Sequence, residues 1–359
     1  MPITLPDAYD LADYERLARE RISEPYWAYL ASLAGNGLTQ RMTREAYDRL
    51  RLAPRVLADL SGASTRIRLF GASFEHPILL APVAYHRLFH PDGEIAVAQG
   101  AGATDTPLVV STHASTGLED IRAASQGPQW FQLYIQPDWD FTAALVRRAE
   151  AAGYGALVVT VDAPVSLRVQ ARRAGFQLPP EIDAVNLRGL VAAEPQPSTL
   201  GGSPLFGGSL PPAPVWADVA RLRALTRLPI LLKGVMAPED ASRALAEGLD
   251  GLIVSNHGGR VLDSVPPTIE VLPAVLAAVD RRIPVLVDGG IRHGTDILKA
   301  MALGASAVLI GRPYIHGLAM AGALGVAHVV HLLRAELEVA MALTGCTGFD
   351  TAPSALAQA

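Results

Sequence analysis

Up to about residue 76 the apolar residues of this chain come at helical intervals. From Pro77 onward they come in short unbroken blocks. Asp10–Ile22 and Glu24–Leu33 carry apolar side chains on one helical face, and Arg41–Leu50 continues the pattern, so the chain is expected to open with helices. The blocks that follow are Ile78–Ala81, Leu108–Ser111, Trp130–Tyr134, Ala156–Val161, Ile230–Lys233, Gly251–Ser255, Val285–Asp288 and Ala307–Ile310. Nearly all are runs of Val, Leu and Ile without alternation, as expected of parallel strands covered on both faces. Helical stretches fall between them, among them Thr142–Ala152, Pro238–Glu247, Pro267–Ala278 and Gly294–Leu303. The repeated β–α alternation predicts an α/β fold, a closed (β/α)8 TIM barrel behind an N-terminal helical segment; a doubly wound open sheet is the alternative.

One connection departs from the rhythm. Between the fourth and fifth strands, Pro179–Pro214 is rich in Pro, Gly and Ser, which predicts a long, irregular, mobile loop rather than a second domain. Loops after barrel strands surround the active-site mouth, so it is either a lid or an insertion without a role. The chain is thus expected to be one domain over 1–359, with a helical part at 1–75 and the barrel at 76–345.

Composition narrows the function classes. Half the residues are hydrophobic and 18% are charged, enough for a large core without metal or disulfide support. A formal charge of −5 with no basic stripe argues against a nucleic-acid partner. Cys346 is the only cysteine, which excludes an internal disulfide framework and suits a reducing cytoplasm. The acidic N-terminus does not read as a secretory signal, and no uninterrupted apolar stretch has the length of a membrane span. Of 30 basic residues only Lys233 and Lys299 are lysines.

Barrel enzymes work at the carboxyl ends of their strands, and the polar residues here gather at those ends. The strand ends bring Pro82-Val83-Ala84, then Ser111 and His113, then Gln132 and Tyr134, then Thr160, Asp162 and Arg168. Lys233, the turn SNHGGR (Ser255–Arg260), DGGIR (Asp288–Arg292) and Gly311-Arg312-Pro313 complete the rim. Glycines and arginines after the last two strands occupy the fold's usual phosphate position. Lys233, at a strand end facing the mouth, can stabilise a developing anion, or else it snorkels to solvent. His257 can take a proton from a hydroxyl, Arg260 can hold a carboxylate, and Asp162 can orient the imidazole.

SNHGGRVLDSVPPTIEVLP and VLVDGGIRHGTDILKAMALGASAVLIGRP, with APVAYHRLFHPDGE, WFQLYI and VTVDAP, closely resemble the FMN-dependent α-hydroxy acid oxidase and dehydrogenase family over nearly the whole chain. The resemblance implies FMN as cofactor, with the Pro82–Ala84 backbone, Ser111, Gln132, Thr160, Lys233 and Ser255 around the isoalloxazine ring. Asp288, Gly290, Arg292, Gly311 and Arg312 would hold the ribityl phosphate. His257 would be the base with Asp162 behind it, Arg260 and Arg168 would grip the substrate carboxylate, and Tyr29 and Tyr134 would hydrogen-bond to the substrate. It further implies a 2-hydroxy acid substrate, oxygen or another electron acceptor, and a homotetramer. APVAYHRLFHPDGE is most like the mandelate-type branch, so an aromatic substrate is favoured.

The chain departs from the family pattern in three places. Leu33 stands where relatives often have glycine, and the VDAPVSLRVQARRAGF segment is one residue short, leaving Arg172 as a rival to Arg168. His113 replaces a larger or apolar pocket residue and is read either as a specificity determinant or as a histidine packed on loop backbone. Two other readings remain at this point: a non-redox FMN barrel such as an isomerase, and a catalytically silent flavin-binding homologue.

Overall fold

The apolar blocks form strands whose side chains are buried on both faces, and these strands close into a barrel. A computed structural model describes residues 5–165, 169–190 and 213–357. The barrel strands are preceded by a two-stranded antiparallel hairpin, β1 (Ile67–Leu69) and β2 (Ala72–Phe74). They are β3 (Ile78–Leu80), β4 (Leu108–Val110), β5 (Gln129–Leu133), β6 (Leu157–Thr160), β7 (Ile230–Val235), β8 (Gly251–Val254), β9 (Val285–Asp288) and β10 (Ala307–Ile310). All neighbours in the ring are parallel, and β10 closes it by pairing with β3. Only Gly234 is less than fully buried among the barrel-strand positions. Each Leu, Ile or Val in those strands contributes about 1.5–3 kcal/mol by leaving water. The (β/α)8 expectation therefore holds, and the open sheet is excluded by the β10–β3 pairing.

The helices run in chain order as α1 (Leu11–Arg21), α2 (Glu24–Ala31), α3 (Leu38–Arg49), α4 (Gly93–Ala103), α5 (Leu118–Ala123), α6 (Trp139–Ala152), α7 (Val169–Arg173) and α8 (Trp216–Leu225). They continue with α9 (Pro238–Ala246), α10 (Thr268–Ala278), α11 (Gly294–Leu303) and α12 (Arg312–Thr344). By length and composition α12 could cross a membrane. Here it is kinked at Ala321–Gly322 and spends its apolar face against α1, α4 and α11.

The hairpin was not foreseen in the sequence, because two three-residue strands are too short to show alternation. Its turn residue Phe70 packs against Trp130 with ring centroids 5.6 Å apart and lies beside Gly251, the first residue of β8. It thus covers the amino-terminal mouth of the barrel and leaves the other mouth for chemistry. Residues 191–212 of the expected Pro179–Pro214 loop lie outside the described residues.

Candidate active site

The carboxyl ends of the strands surround a cavity of about 640 Å³, within the range of small-molecule and cofactor sites. His257 and Arg260 line it. His257 is a non-glycine residue in left-handed backbone (φ 56°), followed by Gly258 and Gly259 in the same region. A side chain held in that region signals a turn shaped by function rather than by propensity.

The His257 imidazole is oriented from behind. Its Nδ1 lies 2.9 Å from Asp162 Oδ1. A carboxylate there accepts the Nδ1 proton, which leaves Nε2 as the lone-pair nitrogen able to receive a proton. Burial pushes the Asp162 carboxyl up, but the His257 hydrogen bond and the nearby Lys233 ammonium outweigh it and hold it below the usual carboxylate range. Asp162 fits there because of a bulge between Lys233 and Val235, where Gly234 takes φ 111°. A Cβ at Gly234 would lie 2.4 Å from the Asp162 Cβ, closer than packed atoms can come.

Lys233 is almost wholly buried, yet it is charged. Its Nζ lies 2.9 Å from Asp288 Oδ2 and donates to Ser255 Oγ at 2.7 Å. Burial alone would lower its pKa, but Asp288 and Asp162 reverse the balance and raise it. The sequence allowed Lys233 to snorkel; instead it points inward and lines the cavity. Ser255, expected to touch cofactor, lies behind the wall: its hydroxyl accepts from Lys233 and from the His257 N–H at 3.2 Å, and it does not line the cavity.

Three buried polar atoms of cavity-lining residues have no hydrogen-bond partner among the described residues: Gln132 Nε2, Thr160 Oγ1 and Asp288 Oδ1. The Gln132 amide is fixed by its other end, whose Oε1 accepts from Thr112 N at 3.1 Å and Ser111 Oγ at 3.3 Å. Orphaned buried donors and acceptors are rare and costly, and this set suits a flavin ring edge beside a hydroxylated chain. Pro82, Val83, Ala84 and Ser111 line the same wall.

At the other end of the cavity stand Gly290, Arg292, Gly311 and Arg312. Burial lowers the Arg292 pKa, and burial with the Arg260 and Arg292 charges pushes Arg312 down to about 9. Among the described residues, the only carboxylate paired with Arg292 is Glu15, at 3.9 Å. Such a cluster of like charges calls for an anion, and a phosphate beside glycine turns fits it. The residues present therefore fit FMN at both ends.

Behind these arginines His316 stacks on Trp27 (centroids 5.5 Å apart). Burial first, and then Arg292 and Arg312, push its pKa down to about 3; burial likewise lowers His76 and His86. Unfolded, these imidazoles take up protons from about pH 6.5 downward, whereas folded His316 resists protonation down to about pH 3. Their stabilising contribution is thus complete above the unfolded value and is lost as pH falls. The melting temperature is expected to drop progressively below about pH 6.5, and His316→Phe, which keeps a ring on Trp27, should flatten the drop. A wild-type melting temperature level down to about pH 4 would contradict this.

The remaining wall is aromatic. His113 has its ring 5.2 Å from Tyr134 and 6.1 Å from Tyr85, and Tyr29 stacks on Phe176 at 4.5 Å. Tyr29, Tyr85, His113 and Tyr134 all line the cavity; nothing in APVAYHRLFHPDGE singles out Tyr85 in the sequence. Arg260 lies 5.8 Å from the Tyr29 ring and donates to the Tyr29 carbonyl at 2.9 Å and the Ser32 carbonyl at 3.3 Å. Arg312 Nε donates to the Leu30 carbonyl at 3.2 Å. The negative end of α2 thus holds both guanidiniums at the rim. Arg168 lies outside the described residues, and its rival Arg172 is exposed and does not line the cavity. The Leu33 N–H donates to Gln170 Oε1 at 2.9 Å, tying the end of α2 to the shortened segment.

Comparisons with known proteins agree with this geometry. The family model described as FMN-dependent dehydrogenase matches residues 18–358. An L-lactate oxidase of Alicycliphilus denitrificans is 47% identical over 95% of this chain and 94% of its own. 2-Hydroxyacid oxidase 2 of Rattus norvegicus is 42% identical over 94% of each chain. Among solved structures, a mandelate oxidase variant with (S)-mandelic acid superposes with a TM-score of 0.88 at 43% identity, covering 98% of both chains.

Proposed function

Because the chain belongs to the FMN-dependent dehydrogenase family, we propose that it oxidises an (S)-2-hydroxy acid carrying an aromatic side chain to the 2-oxo acid, with oxygen as the final acceptor. The protein is an FMN-dependent enzyme that oxidises 2-hydroxy acids. That sets aside the non-redox and the silent readings, neither of which calls for the intact His257–Asp162 pair.

When bound, FMN supplies the oxidised ring that takes up two electrons together with the hydrogen on substrate C2. The chain's own residues do the rest. Arg260, with Arg168, holds the carboxylate, and a guanidinium suits that task by its paired donors. His257 Nε2 receives the hydroxyl proton, and Asp162 stabilises the imidazolium that results. Tyr29 and Tyr134 donate to or accept from the substrate oxygens.

The choice of an aromatic substrate is carried by one observation: the wall of Tyr29, Tyr85, His113 and Tyr134 in the same cavity. Aromatic faces contribute about 0.5–1.5 kcal/mol per ring pair beyond area burial. The relatives named as mandelate oxidase support it. A cytoplasmic setting and a homotetramer belong to the same proposal, the first supported by the single cysteine and the second by the family resemblance.

The test is a steady-state comparison of glycolate, L-lactate and both mandelate enantiomers in air, with peroxide detection. The expected result is the highest kcat/KM for (S)-mandelate and one peroxide per turnover. A clear preference for glycolate or lactate would overturn the aromatic assignment, and turnover without peroxide would overturn oxygen as acceptor.

A further inference from the structure

We propose that Arg44, on the N-terminal helix α3, is a positioning residue for the FMN phosphate: through Asp296 and the Gly290 carbonyl it sets the turn that presents Arg292 and the Gly290–Ile291 backbone to the cavity. The inference rests on the phosphate lying against Gly290, Arg292 and Arg312.

Arg44 reaches the turn from 246 residues away in sequence, where its Nη1 donates to the Gly290 carbonyl at 3.0 Å. Both its terminal nitrogens also donate to Asp296, each at 2.8 Å, one to each carboxylate oxygen. Asp296 is almost fully buried, and its Oδ2 further accepts from the backbone N–H of Arg292 at 3.0 Å and of His293 at 3.1 Å. One carboxylate therefore grips the guanidinium on one side and the turn backbone on the other. Burial pushes Asp296 up, but the Arg44 hydrogen bonds and charge outweigh it and keep it ionised below the usual range.

Two geometric facts turn this into a device aimed at the phosphate. A trans peptide sets its C=O and the following N–H on opposite edges. With the Gly290 carbonyl fastened to Arg44, the Ile291 N–H faces the other way, and Gly290, Ile291 and Arg292 all line the cavity. Gly290 itself has φ 82°, and a Cβ there would lie 2.4 Å from Thr43 Cγ2 and 3.2 Å from Tyr47 Cε2. The turn is thus pressed onto α3 at Thr43, the residue before Arg44, and at Tyr47, one turn further along the helix. Lys299 Nζ adds a bond to the Tyr47 carbonyl at 2.8 Å. Arg44 does not line the cavity; it fixes groups that do.

The test is equilibrium binding of FMN and of riboflavin, which lacks the phosphate, to the full chain freed of flavin. Wild type should bind FMN far more tightly, and failure of that preference would refute the phosphate reading itself, separately from Arg44. In Arg44→Met the preference for FMN over riboflavin should shrink about 10–100-fold, the size of effect that outer partners exert on a metal site, while riboflavin affinity changes little. Arg44→Lys keeps the charge but cannot span both Asp296 oxygens and the Gly290 carbonyl, so it should shift the same ratio even if the methionine variant does not fold. Equal weakening of both ligands, or an unchanged ratio in the variants, would overturn the proposal.

Discussion

With His257 replaced by glutamine, FMN-loaded protein should stay yellow when its 2-hydroxy acid is added without oxygen, bleaching about 10²–10⁴-fold more slowly than wild type. Glutamine keeps polarity and approximate length but cannot take up a proton near neutral pH. The 2.9 Å contact of Nδ1 with Asp162 Oδ1 leaves Nε2 of this cavity-lining imidazole as the nitrogen able to accept the proton on the proposed reading. Because the residues that fit FMN, the Gln132–Thr160 wall and the Arg292–Arg312 end, lie elsewhere in the cavity, FMN affinity should remain close to wild type. Stopped-flow absorbance of the anaerobic reaction reads the rate, and fluorescence titration reads the affinity. Unimpaired bleaching in this variant would remove His257 from the role of base.

Replacing Lys233 by methionine should harm both fold and chemistry. Lys233 and Asp288 form a buried ion pair at 2.9 Å, and deleting one partner leaves an uncompensated buried carboxylate, a loss of about 3–5 kcal/mol of stability. On the proposed reading, Lys233, which lines the cavity, would also supply fixed positive charge beside the flavin ring. Removing such a preorganised charge costs about 10²–10³-fold in rate. The two effects separate in the double variant Lys233→Met with Asp288→Asn, which removes both charges of the pair. It is compared with Asp288→Asn alone, all proteins saturated with FMN because Asp288 also lines the cavity. Its melting temperature should recover toward wild type while anaerobic bleaching remains slow. If the single variant melted and bleached like wild type, the ion pair and its proposed role would both be wrong.

The barrel was legible because its strands are buried on both faces, so Val, Leu and Ile run on without polar breaks; Leu252 to Val254 and Val285 to Val287 show this directly. The strand ends were legible for a related reason: a polar residue just after such a run, like Lys233 or Asp288, has only the cavity to face. What stayed hidden depends on closure in three dimensions. The Lys233–Asp288 pair joins β7 to β9, and no periodicity reports contacts between strands that are not neighbours. Ser255 carries the right chemistry but sits where Lys233 and the His257 N–H use it up. The sequence offers Arg260 a carboxylate alone, whereas an α2 carbonyl also holds it. Arg44 looked like one more helix-surface arginine, since Asp296 lies 252 residues away. Tyr85 gave no separate signal; only the fold brings its ring beside His113.

The central claim is that one cavity binds FMN and pairs it with an imidazole base for a 2-hydroxy acid. Its most direct measurement is the absorbance of FMN-loaded wild type mixed anaerobically with each enantiomer of mandelate. The account expects rapid, complete bleaching by the (S) acid, with benzoylformate formed in amount equal to the flavin, and none by the (R) acid. Flavin that stays oxidised with every 2-hydroxy acid tried, or a protein that takes up no FMN at all, would contradict it.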